Sequence, residues 1–251
     1  MKIKMIKATD MIIRSITFII SSLFLLFGSF TVWDMYRTGG DLMIRDDLKR
    51  YSPRITDDPP YLEELLKINP DTVGWITING TKIDYPIVQG RTDMEYINRD
   101  VYGGYSMAGS IFLSVLNRKD MDEPYHLLYG HHMENGSMFG DLDRFTDPDF
   151  FYNKDEIRTE GSEGSLTLPD KTLCLTVFAL LKTDAYDEMI YRADKSEEDV
   201  AELLKYAEKN ALLYRDIPDI DQVLSLSTCD SSTSYGRTIL LLKVSRSREE
   251  G

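Results

Sequence analysis

The sequence predicts a mainly β domain with a few inserted helices, held outside a membrane by a single N-terminal helix. Three observations carry this. Short runs rich in β-branched and apolar residues recur from residue 73 to residue 244 between turn-forming residues, the rhythm of a β-barrel or sandwich. The stretch 196–210 breaks that rhythm and keeps helical spacing. Ahead of them all, residues 15–33 contain no charged side chain.

The apolar run comes first in the chain. Its nineteen residues give about 28 Å of helix at 1.5 Å per residue, enough to cross a hydrocarbon core of roughly 30 Å. Lys2, Lys4, Lys7 and Arg14 precede it, against Asp10 alone, so residues 1–14 are expected in the cytoplasm and everything after Trp33 outside. A cleaved signal peptide would have a shorter apolar stretch and a small-residue cleavage site. This run ends in Thr31-Val32-Trp33, which argues for an uncleaved anchor. Residues 34–60 are polar and charged, with Gly39-Gly40 and Pro59-Pro60. They read as a stalk, with a short helix near 41–51 suggested by Leu42, Ile44 and Leu48.

The outer domain then runs over 61–251. A short helix is expected at 61–68, stopped by Pro70. Strands are expected at 73–78 and 81–88, flanking Asn79-Gly80, a two-residue hairpin signal. Further strands fit 110–115, 125–129, 172–181, 222–228 and 238–244. In 196–210, Val200, Leu203, Leu204 and Ala207 follow one helical face. Ser196 is placed to cap its start, and Lys205 and Lys209 suit its negative end.

Charge and composition exclude some functions. The 42 acidic residues outnumber the 29 basic ones, for a formal charge of −13. Nucleic-acid binding needs a basic face and is not expected. The two cysteines do not make a disulfide scaffold. Cys174 sits in the apolar run Leu173-Cys174-Leu175 and is expected in the core.

Cys229 ends the strand Val223-Leu224-Ser225-Leu226-Ser227-Thr228. Alternation puts Leu224, Leu226 and Thr228 on one face and Ser225, Ser227 and Cys229 on the other. The thiol is therefore expected on a polar face at a strand end. A turn-rich loop follows, and Arg237 opens the next strand, so antiparallel pairing would return Arg237 to the side of Cys229. The three histidines, His126, His131 and His132, all fall in one segment, YHLLYGHHMENGSMFG. A thiol, an imidazole and a fixed guanidinium suit acyl transfer: nucleophile, proton shuttle and oxyanion support. Spacing alone does not choose between His131 and His132.

The stretch LSTCDSSTSYGR at 226–237 resembles the sortase signature, a Thr-Cys strand followed by arginine, with Ser227 at a variable position. YGHHMENGSMF at 129–139 is similar to the histidine segment of class B sortases. YPIVQG at 85–90, GSIFL at 109–113 and the helix at 196–210 are similar to that class as well. The resemblance spans about 61–246. It implies a closed eight-stranded β-barrel and a site of Cys229, Arg237 and His131, the histidine directly after glycine, with no metal or cofactor. It also implies a Gram-positive cell-wall transpeptidase. Such an enzyme cleaves an Asn-Pro-x-Thr-like sorting signal after Thr, holds the acyl group as a thioester and passes it to a peptidoglycan amine. Asn98, Tyr129, Ser227 and Thr228 are candidate substrate contacts.

Other readings fit less well. A polymerising pilus-type sortase shares the same motifs. A metallohydrolase built on the three histidines and Glu134 lacks the HExxH spacing and a second ligand cluster. A papain-like protease would place its cysteine before its histidine. A non-catalytic binding module leaves the His, Cys and Arg without a purpose.

Overall fold

The structure is a computed structural model that describes residues 2–41, 48, 50–52, 61–152, 164–229 and 235–246. The chain forms two compact units, divided after Leu42. The first is a continuous helix, α1 (Lys2–Asp41). Within it, Met11–Trp33 is long and apolar enough to cross a membrane by length and composition, and its large side chains, Phe18, Phe24 and Leu25 among them, are exposed. Most of the helix expected near 41–51 lies outside the described residues. Tyr51 and Ser52, at its end, are buried. Tyr51 packs with Leu65, Trp75, Val88, Tyr96, Val101 and Phe112, and Ser52 Oγ donates to Asp84.

The second unit is a β-barrel. Its strands are β1 (Thr72–Ile78), β2 (Asp84–Val88), β3 (Ile111–Leu113), β4 (Tyr125–Tyr129), β5 (Gly164–Thr167), β6 (Thr172–Asp184), β7 (Leu213–Tyr214), β8 (Val223–Cys229) and β9 (Gly236–Arg246). They pair in the order β5-β1-β2-β3-β4-β8-β9-β6-β7, and β5 also pairs with β6. That last pairing closes eight strands into a ring and leaves β7 as a short addition on β6. Closure removes the sheet edges that would otherwise expose unpaired backbone. Most neighbours are antiparallel, but β2–β3 and β4–β8 are parallel.

Helices decorate this ring. They are α2 (Tyr61–Ile68), a 3₁₀ helix (Gly140–Thr146), α3 (Pro148–Phe151), α4 (Glu188–Tyr191) and α5 (Glu197–Asn210). The start of α5 carries the expected cap. Ser196 Oγ accepts from the Asp199 N–H, and the Asp199 carboxylate accepts from the Ser196 N–H. This reciprocal pair satisfies two donors that the first helical turn leaves open.

Several local expectations need correction. The β1–β2 connection is longer than a two-residue hairpin: Ile78 N–H donates to Ile83 O at 2.9 Å across residues 79–82. Gly80 takes φ 75°, while Thr81 Oγ1 and the Thr81 N–H both bond Ile78 O. Lys82 N–H is drawn to Asp141 at 2.7 Å, so the extra residues serve a tertiary contact. Cys174 is not in the core. It is half-buried and free, on the outward side of β6 between Ser165 and Ser245, while its neighbours Leu173 and Leu175 point inward and are buried.

His126 sits inside the barrel wall, level with Leu224 of β8. It is fully buried, and neither ring nitrogen has a hydrogen-bond partner among the described residues. Burial pushes its pKa down to about 4. The folded protein therefore resists protonating this ring, while the unfolded chain protonates it near its ordinary value of about 6.5. Stability from this group is complete above that value and drains away as pH falls toward 4. The loss amounts to roughly 3 kcal/mol. Denaturant titrations across this window should show the slope in wild type and a flatter profile in His126→Leu. Equal slopes would show that His126 is not the group responsible.

Candidate active site

The site is assembled where β4, β8 and β9 end together. Along β8, Leu224, Leu226 and Thr228 face the barrel interior, where they meet Leu242, Leu240 and Thr238 of β9. Ser225, Ser227 and Cys229 face outward. This outward face is not the polar surface that alternation suggests, because Ser225 and Ser227 are buried. Tyr125, Leu127, Val223, Ile239 and Leu241 on this side pack under Ile190 of α4 and under Val200, Leu203 and Ala207 of α5. The helical cover ends short of the last residue, and Cys229 is exposed and free.

Strand register sets the neighbours of the thiol. Cys229 is directly opposite Arg237 in the antiparallel β8–β9 ladder, and Arg237 is opposite Thr183 of β6. Directly opposed residues share a face with Cβ atoms about 5 Å apart. In the parallel β4–β8 ladder, Tyr129 is level with Ser227, and the Gly130 N–H extends it by donating to Ser227 O at 3.1 Å. The paired ladder ends there; His131 lies two residues beyond Tyr129, as Cys229 lies two beyond Ser227. Cys229 and Arg237 thus form a row across β8 and β9 at one end of the barrel, and His131 follows the end of β4, the neighbouring strand on the other side of β8.

The geometry also separates the two adjacent histidines. His132 Nε2 lies 2.7 Å from Asp143 Oδ2 on the 3₁₀ helix, and residue 132 forms an isolated bridge with Met138. Its ring is thereby tied to the 3₁₀ helix. The backbone of His131 is held by its own carbonyl, which accepts from Phe139 N–H at 3.0 Å. Glycine is required just before it: a Cβ at Gly130 would stand 2.5 Å from Ile111 Cδ1 and 2.6 Å from Phe139 Cδ2. Together with the burial of His126, this means that the three histidines do not converge on one point.

Beneath the row lies an aromatic floor. Tyr129 stacks on Phe112 at 5.2 Å and on Tyr191 at 6.3 Å. The Tyr191 hydroxyl is 2.8 Å from Ser227 Oγ. Burial pushes the Tyr191 pKa up to about 12, with Arg237 and Cys229 near enough to act on it in opposite senses. Tyr191 thus borders the nucleophile, and sequence reading missed it. It ends a four-residue helix, too short to show a period. The signal available was Asp187, whose side chain caps that helix at the Met189 N–H and also accepts from Thr183 and Tyr206.

The remaining candidates are placed as follows. Tyr129 closes β4 in the floor. Ser227 is buried with its hydroxyl committed to Tyr191. The Thr228 side chain points into the barrel beside Thr238, on the opposite side of the strand from the thiol. Asn98 belongs to the β2–β3 connection, where its carbonyl accepts from Ser106 N–H at 3.1 Å. Among the described residues no hydrogen bond joins Asn98 to the row. The loop 230–234 lies outside the described residues.

No family model matches the chain. Sortase B of Staphylococcus aureus is 30% identical over 189 residues, covering 74% of this chain and 75% of that protein. Sortase B of Listeria monocytogenes is 28% identical over 241 residues, covering 90% and 94%. Among solved structures, a class B sortase of Streptococcus pyogenes involved in pilus biogenesis aligns with a TM-score of 0.63 at 35% identity, covering 72% of this chain and 96% of that one.

Proposed function

Because the chain belongs to the class B sortases, a family of cysteine transpeptidases, we propose that it anchors secreted proteins to peptidoglycan, with Cys229 as nucleophile, His131 as proton shuttle and Arg237 as electrostatic support. The observation that carries this reading is the Cys229–Arg237 pair across β8 and β9, with His131 two residues past the end of the adjoining β4.

The chemistry follows from the placement. The Cys229 thiolate attacks the carbonyl carbon of the Thr residue in an Asn-Pro-x-Thr-like sorting signal. Arg237, one strand away, favours the thiolate and the oxyanion that develops on the carbonyl. Collapse of the tetrahedral adduct breaks the C–N bond, and the imidazolium of His131 gives its proton to the departing amine. The acyl group remains as a thioester on Cys229. A peptidoglycan amine then attacks the thioester and gives a proton to His131, and the thiolate leaves. No step calls on a metal or cofactor. Tyr129 and Tyr191 form the floor, Ser227 supports it through the Tyr191 hydroxyl, and Thr228, pointing into the barrel, does not meet the peptide.

The direct test is to incubate the full chain in detergent with an Asn-Pro-x-Thr peptide library and a primary amine. Mass spectrometry should find the thioester on Cys229 and an amide product with the amine. Normal turnover by Cys229→Ala would end the proposal. The Streptococcus pyogenes relative favours a second reading, pilus assembly, in which a protein lysine accepts the acyl group. Products joined to a lysine side chain rather than to peptidoglycan would select it.

The same reading places residues 15–33 as an uncleaved membrane anchor, residues 1–14 in the cytoplasm and the barrel outside. The uncharged span and its basic N-terminal flank support this. In intact cells carrying Cys174→Ser, which removes the other free thiol, a membrane-impermeant maleimide should label the exposed Cys229, and the signal should vanish when Cys229→Ala is added. Labelling only after lysis would place the barrel inside.

A further inference from the structure

Strands β6 and β9 run past the catalytic row. Beyond the Thr183–Arg237 and Asp184–Gly236 pairs, the Ala185 N–H donates to Tyr235 O at 2.9 Å. Two tyrosines flank this last rung. Tyr186 is 75% exposed and Tyr235 61%, and their rings lie 5.8 Å apart with planes inclined at 44°. The Tyr186 backbone is fixed by a hydrogen bond from its N–H to Asp184 Oδ1 at 2.7 Å. Tyr235 directly precedes β9, two residues before Arg237, and so stands about 7 Å beyond it at the end of the ladder.

Single exposed aromatics need no explanation. Here two rings in contact form an ordered apolar platform with wet hydroxyls, beside the place where a second substrate must approach the thioester. A pyranose ring matches such a platform. One face of the chair presents C–H groups, apolar and weakly positive, to the negative face of the tyrosine ring, and its hydroxyls at the rim meet the phenols. A bilayer with anionic headgroups matches poorly, because the chain carries a formal charge of −13 and Asp184 and Asp187 flank the platform.

We propose that Tyr186 and Tyr235 form an acceptor subsite that stacks on a sugar ring of the peptidoglycan fragment bearing the attacking amine. The assignment rests on the acyl-transfer reading above. It makes the enzyme a reader of the glycan as well as of the amine, and so biases transfer toward wall precursors over free amines.

The test uses the full chain in detergent, a sorting-signal peptide as donor and two acceptors: a disaccharide-peptide muropeptide and the same peptide without sugars. Changing both tyrosines to Ala should raise KM for the muropeptide ~10-fold relative to the bare peptide, two ring faces being lost. Changing both to Phe keeps the faces and should restore most of the preference. An equal shift for both acceptors, or no shift, overturns the subsite. So does an effect that appears only in liposome-reconstituted enzyme and alike for both acceptors, which would assign the pair to the bilayer surface. Thioester formation on Cys229 without acceptor is scored in the same samples. Its absence in wild type sinks the acyl-transfer reading, whereas its presence with an unchanged KM ratio sinks only the subsite.

Discussion

Replacing His131 with Ala should lower kcat/KM for sorting-peptide cleavage ~10³-fold, within the range for loss of a positioned acid–base group. The reasoning is topological. His131 lies two residues past the Tyr129–Ser227 pair, as Cys229 does on β8, whereas His132 is held by Asp143. His132→Ala removes that contact, whose carboxylate partner is half exposed. It should lower kcat/KM by no more than about tenfold, because an exposed pair of this kind contributes on the order of 1 kcal/mol. Stopped-flow measurement of acylation and of the pH–rate profile separates the two. Loss of the proton-transfer limb in His131→Ala, with the limb retained in His132→Ala, is the expected pattern. The reverse order would move the base to residue 132.

The second large effect is expected at Arg237. Arg237→Ala should cost about 10² to 10³ in kcat/KM, comparable to removing one oxyanion donor. Arg237→Lys should recover only a small part of this, because a point charge on a flexible stem does not reproduce a rigid planar fork. Alkylation of Cys229 by iodoacetamide as a function of pH divides the loss. If Arg237 acts by favouring the thiolate, the alkylation midpoint rises in Arg237→Ala. If it acts on the oxyanion, alkylation is unchanged and only acylation slows. Full activity in Arg237→Ala would remove the residue from the mechanism.

The sequence showed best where chemistry and strand periodicity coincide. The run ending in Cys229, the turn-rich loop and Arg237 together foretold the Cys229–Arg237 pair of the β8–β9 ladder. The segment with all three histidines marked where any imidazole must come from. The same alternation misled for Ser225 and Ser227. The face is buried because α4 and α5 cover it; Ser227 Oγ meets Tyr191, while Ser225 Oγ is buried with no hydrogen-bond partner among the described residues. β5 and β7 were missed because four and two residues are too few to show a period. The floor of Phe112, Tyr129 and Tyr191 draws on three separate elements, so no local pattern announces it. The aromatic character of Tyr191 was visible, but its position was not.

The parallel pairing of β4 and β8 has a consequence for how the molecule comes into being. Strands that run the same way cannot be joined by a tight turn, so the imidazole and the thiol are brought together across a detour on the order of a hundred residues. Within that detour lie β5, β6, α4, α5 and β7. Such distant contacts form late. A partly folded chain therefore carries an ordinary thiol until the ring shuts. Its reactivity becomes a report of completed folding, and a half-made molecule is kept from acylating itself on passing peptides.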